Sequence, residues 1–294
     1  MRFRHLSILL FGAAALAGCN SDEVSGTRTE LEPAALVRYV NAVPDTSALD
    51  FRFTDGNVEN SPQFPSIAYR QFTVYQRARA GSRRIAVFTN PLPYGSDIAV
   101  AQQKHVDTSF NFEAGKRYTI ISYGFARATA SPRHRLVIIE DVFPTTLAAT
   151  SVGARTIHAA PAAGPLDVYV QTSESPAGIA GATPVARNVA ALAATPYVTL
   201  TSRPVGGALV YRWDLAAAGG TTALAVSPSS GLPGQAGTSS SNPLAGFQIG
   251  RSVITAIAFG PSVAGSRAPQ GGEYASLGMR FLPDQSLDST EPGR

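Results

Sequence analysis

The sequence contains a single cysteine, Cys19, among its 294 residues. One thiol excludes an intramolecular disulfide, and it excludes a metal site built from several thiolates. The core must therefore be held together by the burial of apolar side chains alone. A chain of this length is long enough for that, and its length predicts about two domains.

Charged residues are also scarce, since they make up 15% of the chain against about a quarter in typical domains. There are 24 Lys and Arg residues and 20 Asp and Glu residues, so the formal net charge is +4. This near balance argues against nucleic acid as a partner. Few charges, 44% hydrophobic residues and 21 prolines favour an extracytoplasmic, β-rich fold over a helical one.

Sequence motifs of known catalytic reactions are missing. The chain has no Gly-x-Ser-x-Gly elbow, no His-Glu-x-x-His helix, no phosphate-binding loop and no EF-hand loop. The four histidines are His5, His105, His134 and His158. Because they are scattered along the chain, we expect them at exposed positions and not as zinc ligands. We therefore expect a non-catalytic protein with no metal site and no cofactor.

The N-terminal segment has the order of charge and hydrophobicity that is typical of a secretory signal peptide. Arg2 and Arg4 precede an apolar run over residues 6–16, which is too short for a membrane span of about 20 residues. The run ends in Leu-Ala-Gly directly before Cys19, which resembles the lipobox of bacterial lipoproteins. The resemblance implies removal of residues 1–18 and acylation of Cys19, which would attach the protein to a membrane.

The residues after Cys19 bear on its location. Asn20 and Ser21 follow it rather than aspartate, which resembles the pattern of Gram-negative lipoproteins that are sent to the outer membrane. We therefore expect a lipid-anchored protein of the cell envelope, at the outer membrane rather than the inner membrane. Residues 19–33 are polar and are expected to form a flexible tether.

From Ala35 onward, short apolar runs alternate with turn residues, which is typical of β-strands. In the first such runs, every second residue is apolar, as expected where one face of a strand is buried and the other is exposed. The strands predicted in the first half are Leu36–Asn41, Leu49–Thr54, Gln71–Gln76, Arg84–Thr89, Ile98–Gln103, Tyr118–Tyr123 and Leu136–Glu140.

The second half of the chain repeats the first. Val37–Pro44 recurs as Ala154–Pro161, and Leu49–Phe53 recurs as Leu166–Val170, at a common offset of 117 residues. A repeat of this length indicates duplicated domains rather than a solenoid.

A later pair of glycines is aligned in the same way. Ala114–Ile121 resembles Ile249–Ala256 at an offset of 135 residues. Gly115 and Gly250 then occupy equivalent positions before strands, and we interpret both as tight-turn glycines.

Two domains are therefore predicted, over residues 34–146 and 147–294, the second with a Ser/Gly/Pro-rich loop at 227–243 and a disordered C-terminal tail. Each domain has about seven strands over about 110 residues, which predicts two tandem immunoglobulin-like antiparallel β-sandwiches. The linker is short, so we expect the two domains to lie nearly end to end. Trp213 falls in an apolar strand and is expected in the core.

The repeated segments share polar and proline residues that we interpret as structural. They are Arg38, Asn41, Pro44 and Asp50 in the first copy and Arg155, His158, Pro161 and Asp167 in the second. The prolines are expected to end a strand, because proline cannot donate to a ladder. The aspartates are expected on the exposed face, where they bind turn amides or pair with the arginines. Calcium binding or general-base catalysis by the aspartates is the alternative.

The paired motif Val37–Asp45 and Leu49–Phe53 resembles the domain-of-unknown-function family four-three-nine-seven. Ala80–Val87 and Ala114–Thr119 resemble the same family, so the likeness covers nearly the whole mature chain and is strongest in the first copy. The resemblance implies a bacterial surface or envelope protein, often a lipoprotein and often duplicated. It implies no catalytic residues.

A basic and aromatic cluster is the strongest surface feature that the sequence predicts. It comprises Tyr69, Arg70, Tyr75, Arg77 and Arg79. On a strand over residues 69–75 the two tyrosines would share a face, and arginine beside tyrosine can bind an acidic glycan, a lipid phosphate or a protein. The alternative is a solvated strand edge whose arginines prevent edge-to-edge aggregation.

These observations predict a lipid-anchored envelope protein whose two domains serve as a spacer or a binding module. Its expected partners are the membrane, through the N-terminal lipid, and an envelope protein or glycan. The alternative is an envelope hydrolase, or a carbohydrate-binding module, with its site between the two domains. Two carboxylates gathered there would favour the hydrolase.

Overall fold

The computed structural model describes residues 32–55, 62–90, 103–202 and 210–289. Within these ranges there is no α-helix, and the secondary structure consists of sixteen β-strands and two 3-10 turns. The described residues from Ala34 onward form one compact unit. The predicted all-β sandwich fold is confirmed.

Each half of the chain contributes eight strands. The first repeat comprises β1 (Ala34–Ala42), β2 (Leu49–Phe53), β3 (Phe64–Ile67), β4 (Gln76–Arg79), β5 (Gly81–Thr89), β6 (Lys104–Phe112), β7 (Arg117–Tyr123) and β8 (Arg135–Glu140). The second repeat comprises β9 (Ser151–His158), β10 (Leu166–Thr172), β11 (Ala186–Val189), β12 (Val198–Thr201), β13 (Tyr211–Ala217), β14 (Ala223–Pro228), β15 (Ser252–Phe259) and β16 (Gly278–Ser286). The 3-10 turns are Ser229–Gly231 and Gly272–Ala275.

The two repeats have the same strand order. In the first repeat, β3-β2-β5-β6 form an outer sheet and β4-β1-β7-β8 form an inner sheet. In the second repeat, β11-β10-β13-β14 form the outer sheet and β12-β9-β15-β16 form the inner sheet. Neighbouring strands are antiparallel except β1 with β7 and β9 with β15, which are parallel. The sequence does not predict these parallel pairs, because a period of two carries no information about strand direction.

Among the described residues, the four sheets are stacked in layers around three large cores, and a smaller fourth cluster contains Tyr169, Ile179 and Ala216. One core lies between the sheets of the first repeat and contains Tyr39 and Phe51. A second core lies between the sheets of the second repeat and contains Ile254 and Trp213. The third core lies between the two inner sheets and comprises Val40, Ala42, Tyr69, Ile121, Tyr123, Ile157, Ala159, Ile257, Phe259, Ala268 and Leu282. The repeats therefore pack face to face, and the expected end-to-end arrangement is wrong.

The reason for this packing lies in the inner strands. All residues of β15 are buried, and β1 is buried from Val37 to its end. A strand that is buried on both faces has a continuous apolar run instead of an alternating pattern. Both inner sheets must therefore be covered on both sides, and the two repeats cover each other.

Some predicted strands differ from the structure. The segment Gln71–Gln76 contains a single bridge, between Val40 and Phe72, and β4 begins only at Gln76. The sequence also fails to predict β6, because most of its side chains are polar and exposed, so its apolar alternation is weak. Most of the predicted strand Ile98–Gln103 lies outside the described residues.

The turns before β7 and β15 correct the sequence alignment by one residue. The N–H of Gly115 donates to the first residue of β1 at 2.9 Å, and the N–H of Arg251 donates to the first residue of β9 at 2.6 Å. Both residues are left-handed, with φ of 79° and 58°, so Arg251 is the counterpart of Gly115. Gly250 has a different role, because a Cβ at that position would overlap the carbonyl oxygen of Ala149.

Candidate functional site

The surface where the two inner sheets meet carries a buried polar network. In the first repeat, Arg38 Nε donates to Thr119 Oγ1 at 2.8 Å, and Thr119 Oγ1 donates to Asp141 Oδ2 at 2.6 Å. Tyr75 OH donates to the same carboxylate oxygen at 2.7 Å. The parallel register of β1 and β7 sets Arg38 directly opposite Thr119, so the strand pairing itself positions the two side chains.

The second repeat builds the same group from equivalent residues. Arg155 Nε donates to Thr255 Oγ1 at 3.0 Å, and Thr255 Oγ1 donates to Asp284 Oδ2 at 2.6 Å. Tyr197 OH donates to Asp284 Oδ2 at 3.4 Å. The register of β9 and β15 places Arg155 opposite Thr255, as β1 and β7 do in the first repeat.

The two groups are crossed. Arg38 Nη1 lies 2.7 Å from Asp284 Oδ1, and Arg155 Nη2 pairs with Asp141 Oδ1. Each guanidinium thus binds the threonine of its own repeat and the carboxylate of the other repeat. Because an exchange of the two repeats reproduces the pattern, the contact has the form of a twofold dimer interface within one chain. We call these eight residues the crossed network.

The crossed network lies in a water-poor setting. The side chains of Arg38 and Asp284 are 1% and 0% exposed. Burial raises the pKa of the Tyr75 and Tyr197 phenols above the ordinary value, so both stay protonated and can donate. Burial opposes the charge of Arg38, but the nearby carboxylates of Asp284 and Asp141 raise its pKa above the ordinary value. The Arg38 guanidinium also lies 4.6 Å from the centre of the Tyr75 ring.

This arrangement can hold the repeats together, but it does not present a base to a substrate. Asp141 accepts from Thr119 and Tyr75 and pairs with Arg155. A general base must come within hydrogen-bond distance of the proton that it removes, and the Asp141 side chain is 0% exposed. Two carboxylates do lie between the repeats, and each is buried and paired with an arginine of the other repeat.

The five residues predicted as a binding surface do not form one. Tyr69 and Arg70 are buried because they pack against the second repeat, and Tyr75 belongs to the crossed network. Arg77 and Arg79 are exposed on β4, which is an edge strand of its sheet. The expected strand over residues 69–75 is replaced by a turn that directs Tyr69 and Arg70 inward.

Tyr69 and Arg70 contact the loop between β15 and β16. Tyr69 OH donates to Gly260 O at 2.6 Å, and Arg70 Nη2 donates to the same carbonyl at 2.5 Å. Arg70 also donates to the carbonyl of Glu273 at 2.5 Å and to the carbonyl of Ser276. One side chain of the first repeat thus binds three backbone carbonyls of the second.

Asp50 and Asp167 are buried, so the expectation of an exposed carboxylate is wrong for both. Asp50 Oδ1 accepts from the N–H of Ser66 at 2.7 Å, and Asp167 Oδ1 accepts from the N–H of Asn188 at 2.7 Å. Ser66 and Asn188 are left-handed, with φ of 53° and 52°, and each lies where its strand pairing shifts register. Each aspartate therefore satisfies a backbone amide at a β-bulge. The arginines predicted to pair with the aspartates, Arg38 and Arg155, pair with Asp284 and Asp141 instead.

Asn41 and His158 fill equivalent places with different chemistry. The N–H of Val43 donates to Asn41 Oδ1 at 2.9 Å, and the N–H of Ala160 donates to His158 Nδ1 at 3.2 Å. His158 Nε2 lies 2.9 Å from Gly164 O, so the ring is neutral and carries its proton on Nε2. Burial lowers the pKa of His158 below its ordinary value of 6.5. With 1% exposure, His158 contradicts the expectation of exposed histidines.

The two prolines of the repeated motif follow the first strand of each repeat. β1 ends at Ala42 and β9 ends at His158, shortly before Pro44 and Pro161, and both prolines are buried. Pro44 O accepts from the N–H of Val263 at 2.8 Å, which adds a contact between the repeats.

Acidification is expected to destabilise the protein through His158. Because folding lowers the pKa of this ring, the unfolded chain binds a proton more readily, and the free energy of unfolding falls as the pH drops below 6.5. Replacing His158 with asparagine, the residue found at position 41, should remove this contribution, which is at most about 1.4 kcal/mol per pH unit. Urea titrations at about pH 7.5 and about pH 5.5 check this. An equal loss of stability in the wild type and His158→Asn would contradict it.

The sequence identifies the two arginines of the crossed network as shared residues, but it misses their partners. Thr119 and Thr255 align only after the offset is corrected by one residue, and Asp141, Asp284 and Tyr197 lie outside the repeated motifs. One feature of the sequence does indicate a buried polar group, because Thr255 is a polar residue in the middle of the mainly apolar, fully buried β15. Such a residue requires a buried partner.

In the part of the chain that the structure describes, no three or more His, Cys, Asp or Glu side chains group into a metal site. The described residues also include no helix with the length and hydrophobicity to span a membrane. Cys19 and the signal peptide, residues 1–18, lie outside the described residues, so lipidation stays a prediction.

Residues 35–169 match the family described as Domain of unknown function (DUF4397). The match runs from the second residue of β1 into β10, so the family resemblance is confirmed over these residues. No curated protein is similar enough to the chain to count as a match. Among solved structures, the chain is similar to "Crystal structure of a putative adhesin from Bacteroides ovatus", with 10% identity, coverage of 85% of this chain and 94% of that chain, and a TM-score of 0.25.

Proposed function

We propose that this protein is a lipid-anchored, non-catalytic component of the bacterial cell envelope, in which two copies of one domain form a rigid body that acts as a spacer or a binding module. The crossed network carries this proposal. Any sliding or opening of the inner sheets would leave buried charges unpaired, which is strongly unfavourable. The network therefore selects one relative orientation of the repeats.

In this proposal the second repeat is a second copy of the family that matches the first. The identical strand order of the two repeats supports this. So does the recurrence of small conformational details. Arg70 and Leu192, for example, are left-handed residues with φ of 64° and 68°, and their N–H groups donate to Asn41 O and His158 O.

A binding role would use the exposed edge of the first inner sheet. Arg77 and Arg79 are the exposed members of the predicted basic cluster, and both project from β4. Arginine forms charge-assisted hydrogen bonds with carboxylates and phosphates. An acidic envelope protein or glycan is therefore the partner class that this edge fits.

Lipid attachment is tested by replacing Cys19 with alanine. We expect the wild type to incorporate radiolabelled palmitate and to sediment with membranes, and we expect Cys19→Ala to lose both properties, because no other thiol is present. Labelling of a bacterial host that expresses each form, followed by immunoprecipitation, measures this. Incorporation of label into Cys19→Ala would overturn the anchor.

A matched variant separates anchoring from location. Asn20→Asp keeps Cys19 but places aspartate directly after it, so the resemblance to Gram-negative lipoproteins implies retention at the inner membrane. Separation of the two membranes on a density gradient should place the wild type in the outer membrane and Asn20→Asp in the inner membrane. If both forms fractionate together, the predicted outer-membrane location is wrong.

A further inference from the structure

One edge of the first inner sheet is open along its backbone. That edge is β8, which pairs only with β7. The N–H of Asp141 donates to Arg117 O on the β7 side, and in an antiparallel pair the backbone groups of successive residues point to alternate sides. The N–H and C=O groups of Leu136, Ile138 and Glu140 therefore point away from β7. Among the described residues, no hydrogen bond from another segment reaches these groups.

The side chains of β8 suit pairing with another strand. Leu136–Ile139 are four consecutive apolar residues, each partly exposed, and this run has no charge, proline or glycine. Leu136 and Ile138 contact the core of the first repeat, whereas Val137 and Ile139 contact the core between the repeats. A strand added along this edge would extend both apolar faces at once and remove their remaining surface from water.

The other edge strands that the structure describes have features that prevent pairing. β3 and β16 contain a proline, β4 and β6 have a charged side chain within the strand, β11 and β14 have a register shift, and β12 has only four residues. The comparison with β16 is the most direct. Asp284 is the counterpart of Asp141 in the crossed network, so Pro283 takes the place of Glu140 and lacks its outward N–H.

The two ends of β8 carry opposite charges. Arg135 begins the strand and is exposed, and no carboxylate of the described residues pairs with it. Glu140 ends the strand and shares the ammonium group of Lys116 with Glu113, so two carboxylates bind one cation there. If two β8 strands ran antiparallel, each arginine would meet the glutamate of the other copy. The strand is therefore complementary to itself in charge as well as in its apolar run.

We propose that β8 binds a second copy of this chain, with the two β8 strands antiparallel about a twofold axis. Outward backbone groups must face outward groups in such a pair. The register that uses all three of them sets Ile138 opposite Ile138 of the partner subunit and Leu136 opposite Glu140 of the partner subunit. A shift by two residues in the sum would bring in His134, whose N–H already donates to Phe125 O.

This pairing joins two four-stranded inner sheets into one sheet of eight strands, with β4 at both outer edges. Each copy uses its only open edge among the described strands, so assembly closes at two copies. The inference goes beyond the proposed function and does not depend on the lipid anchor. The dimer would present the arginines of β4 twice.

Sedimentation equilibrium of the full chain tests the pairing, with Cys19→Ser as a common background that removes the only thiol. Between about 1 and about 100 µM, a range suited to an interface of modest area, we expect a monomer–dimer equilibrium. Arg135→Glu should weaken the dimer by on the order of tenfold, because it opposes like charges at both ends. Adding Glu140→Lys to Arg135→Glu should restore it.

Arg267→Glu is the matched control, because it reverses an exposed arginine in the loop between β15 and β16 and should leave the equilibrium unchanged. A chain that stays monomeric throughout would overturn the proposal and leave β8 for a strand of a different protein. Assembly beyond two copies, or an equal effect of Arg135→Glu and Arg267→Glu, would also overturn it.

A cross-link decides the matter if the charge variants do not fold. Residues that face each other in a hydrogen-bonded antiparallel pair have Cα atoms about 5.5 Å apart, which a disulfide can span. Under mild oxidation, Ile138→Cys in the Cys19→Ser background should therefore form a disulfide-linked dimer. Val226→Cys is the control, because this residue of the edge strand β14 is 55% exposed and should remain uncoupled. No link through Ile138→Cys, or equal linking through both variants, would contradict the pairing.

Discussion

Asp284→Ala is expected to lower the free energy of unfolding by about 3–5 kcal/mol. The substitution removes the partner of Arg38, whose side chain is 1% exposed and cannot regain water without opening the interface. It also leaves Thr255 Oγ1 without its acceptor. Urea unfolding, followed by the fluorescence of Trp213, the only tryptophan, and by circular dichroism, measures the change.

Two further variants make this prediction specific. Arg251→Ala breaks an ion pair with Asp288 whose side chains are 45% and 50% exposed, and it should cost no more than about 1 kcal/mol. The double variant Arg38→Met with Asp284→Leu removes both charges and should recover much of the loss. If Asp284→Ala is no more harmful than the exposed control, the crossed network does not lock the repeats.

Trp213→Ala is expected to cost about 3–5 kcal/mol, the range for a large aromatic side chain removed from a packed core. Trp213 is 1% exposed, which confirms the prediction that it belongs to the core. Its ring centre lies 5.1 Å from that of Phe247 and 5.0 Å from that of Phe281. Since three aromatic rings meet there, the cavity left by alanine cannot close by a small shift.

Leu224→Ala is the matched control for this cavity. Leu224 is an apolar residue of the same outer sheet, but it is 54% exposed, so its truncation should change stability by no more than about 0.5 kcal/mol. Thermal and urea unfolding followed by circular dichroism compare the two variants. A loss below about 1 kcal/mol for Trp213→Ala would show that this core is loosely packed.

The crossed network bears on function through orientation rather than through stability. Buried ion pairs are often no more stabilising than apolar residues of similar volume, because both charges lose their hydration. What they supply is specificity for one relative orientation of the repeats. The apolar third core would tolerate small shifts of one inner sheet over the other. Arg38 and Arg155 tolerate only the orientation in which they reach their carboxylates. A spacer in the envelope benefits from such a fixed geometry.

Local chemistry made several elements predictable. The alternation in Leu49–Phe53 marks β2, and the equal spacing of Arg38 and Arg155 from their neighbouring motifs predicts that the second half repeats the strand pattern of the first. Proline chemistry is consistent with β1 ending just before Pro44. The predicted strand Gln71–Gln76 is wrong because the chain turns just before it. Arg70 takes the left-handed conformation in that turn, and the sequence has no glycine there that would have indicated a turn.

The amino-acid order alone determined the all-β class and the residues of the recurring motif, because strand periodicity and motif spacing are local properties of the chain. Only the tertiary structure decided that the repeats pack face to face, that Tyr69 and Arg70 point inward, and that each arginine pairs with the carboxylate of the other repeat. Those outcomes depend on which apolar faces cover each other. That choice is made by burial of surface between strands far apart in sequence, and no local pattern records it.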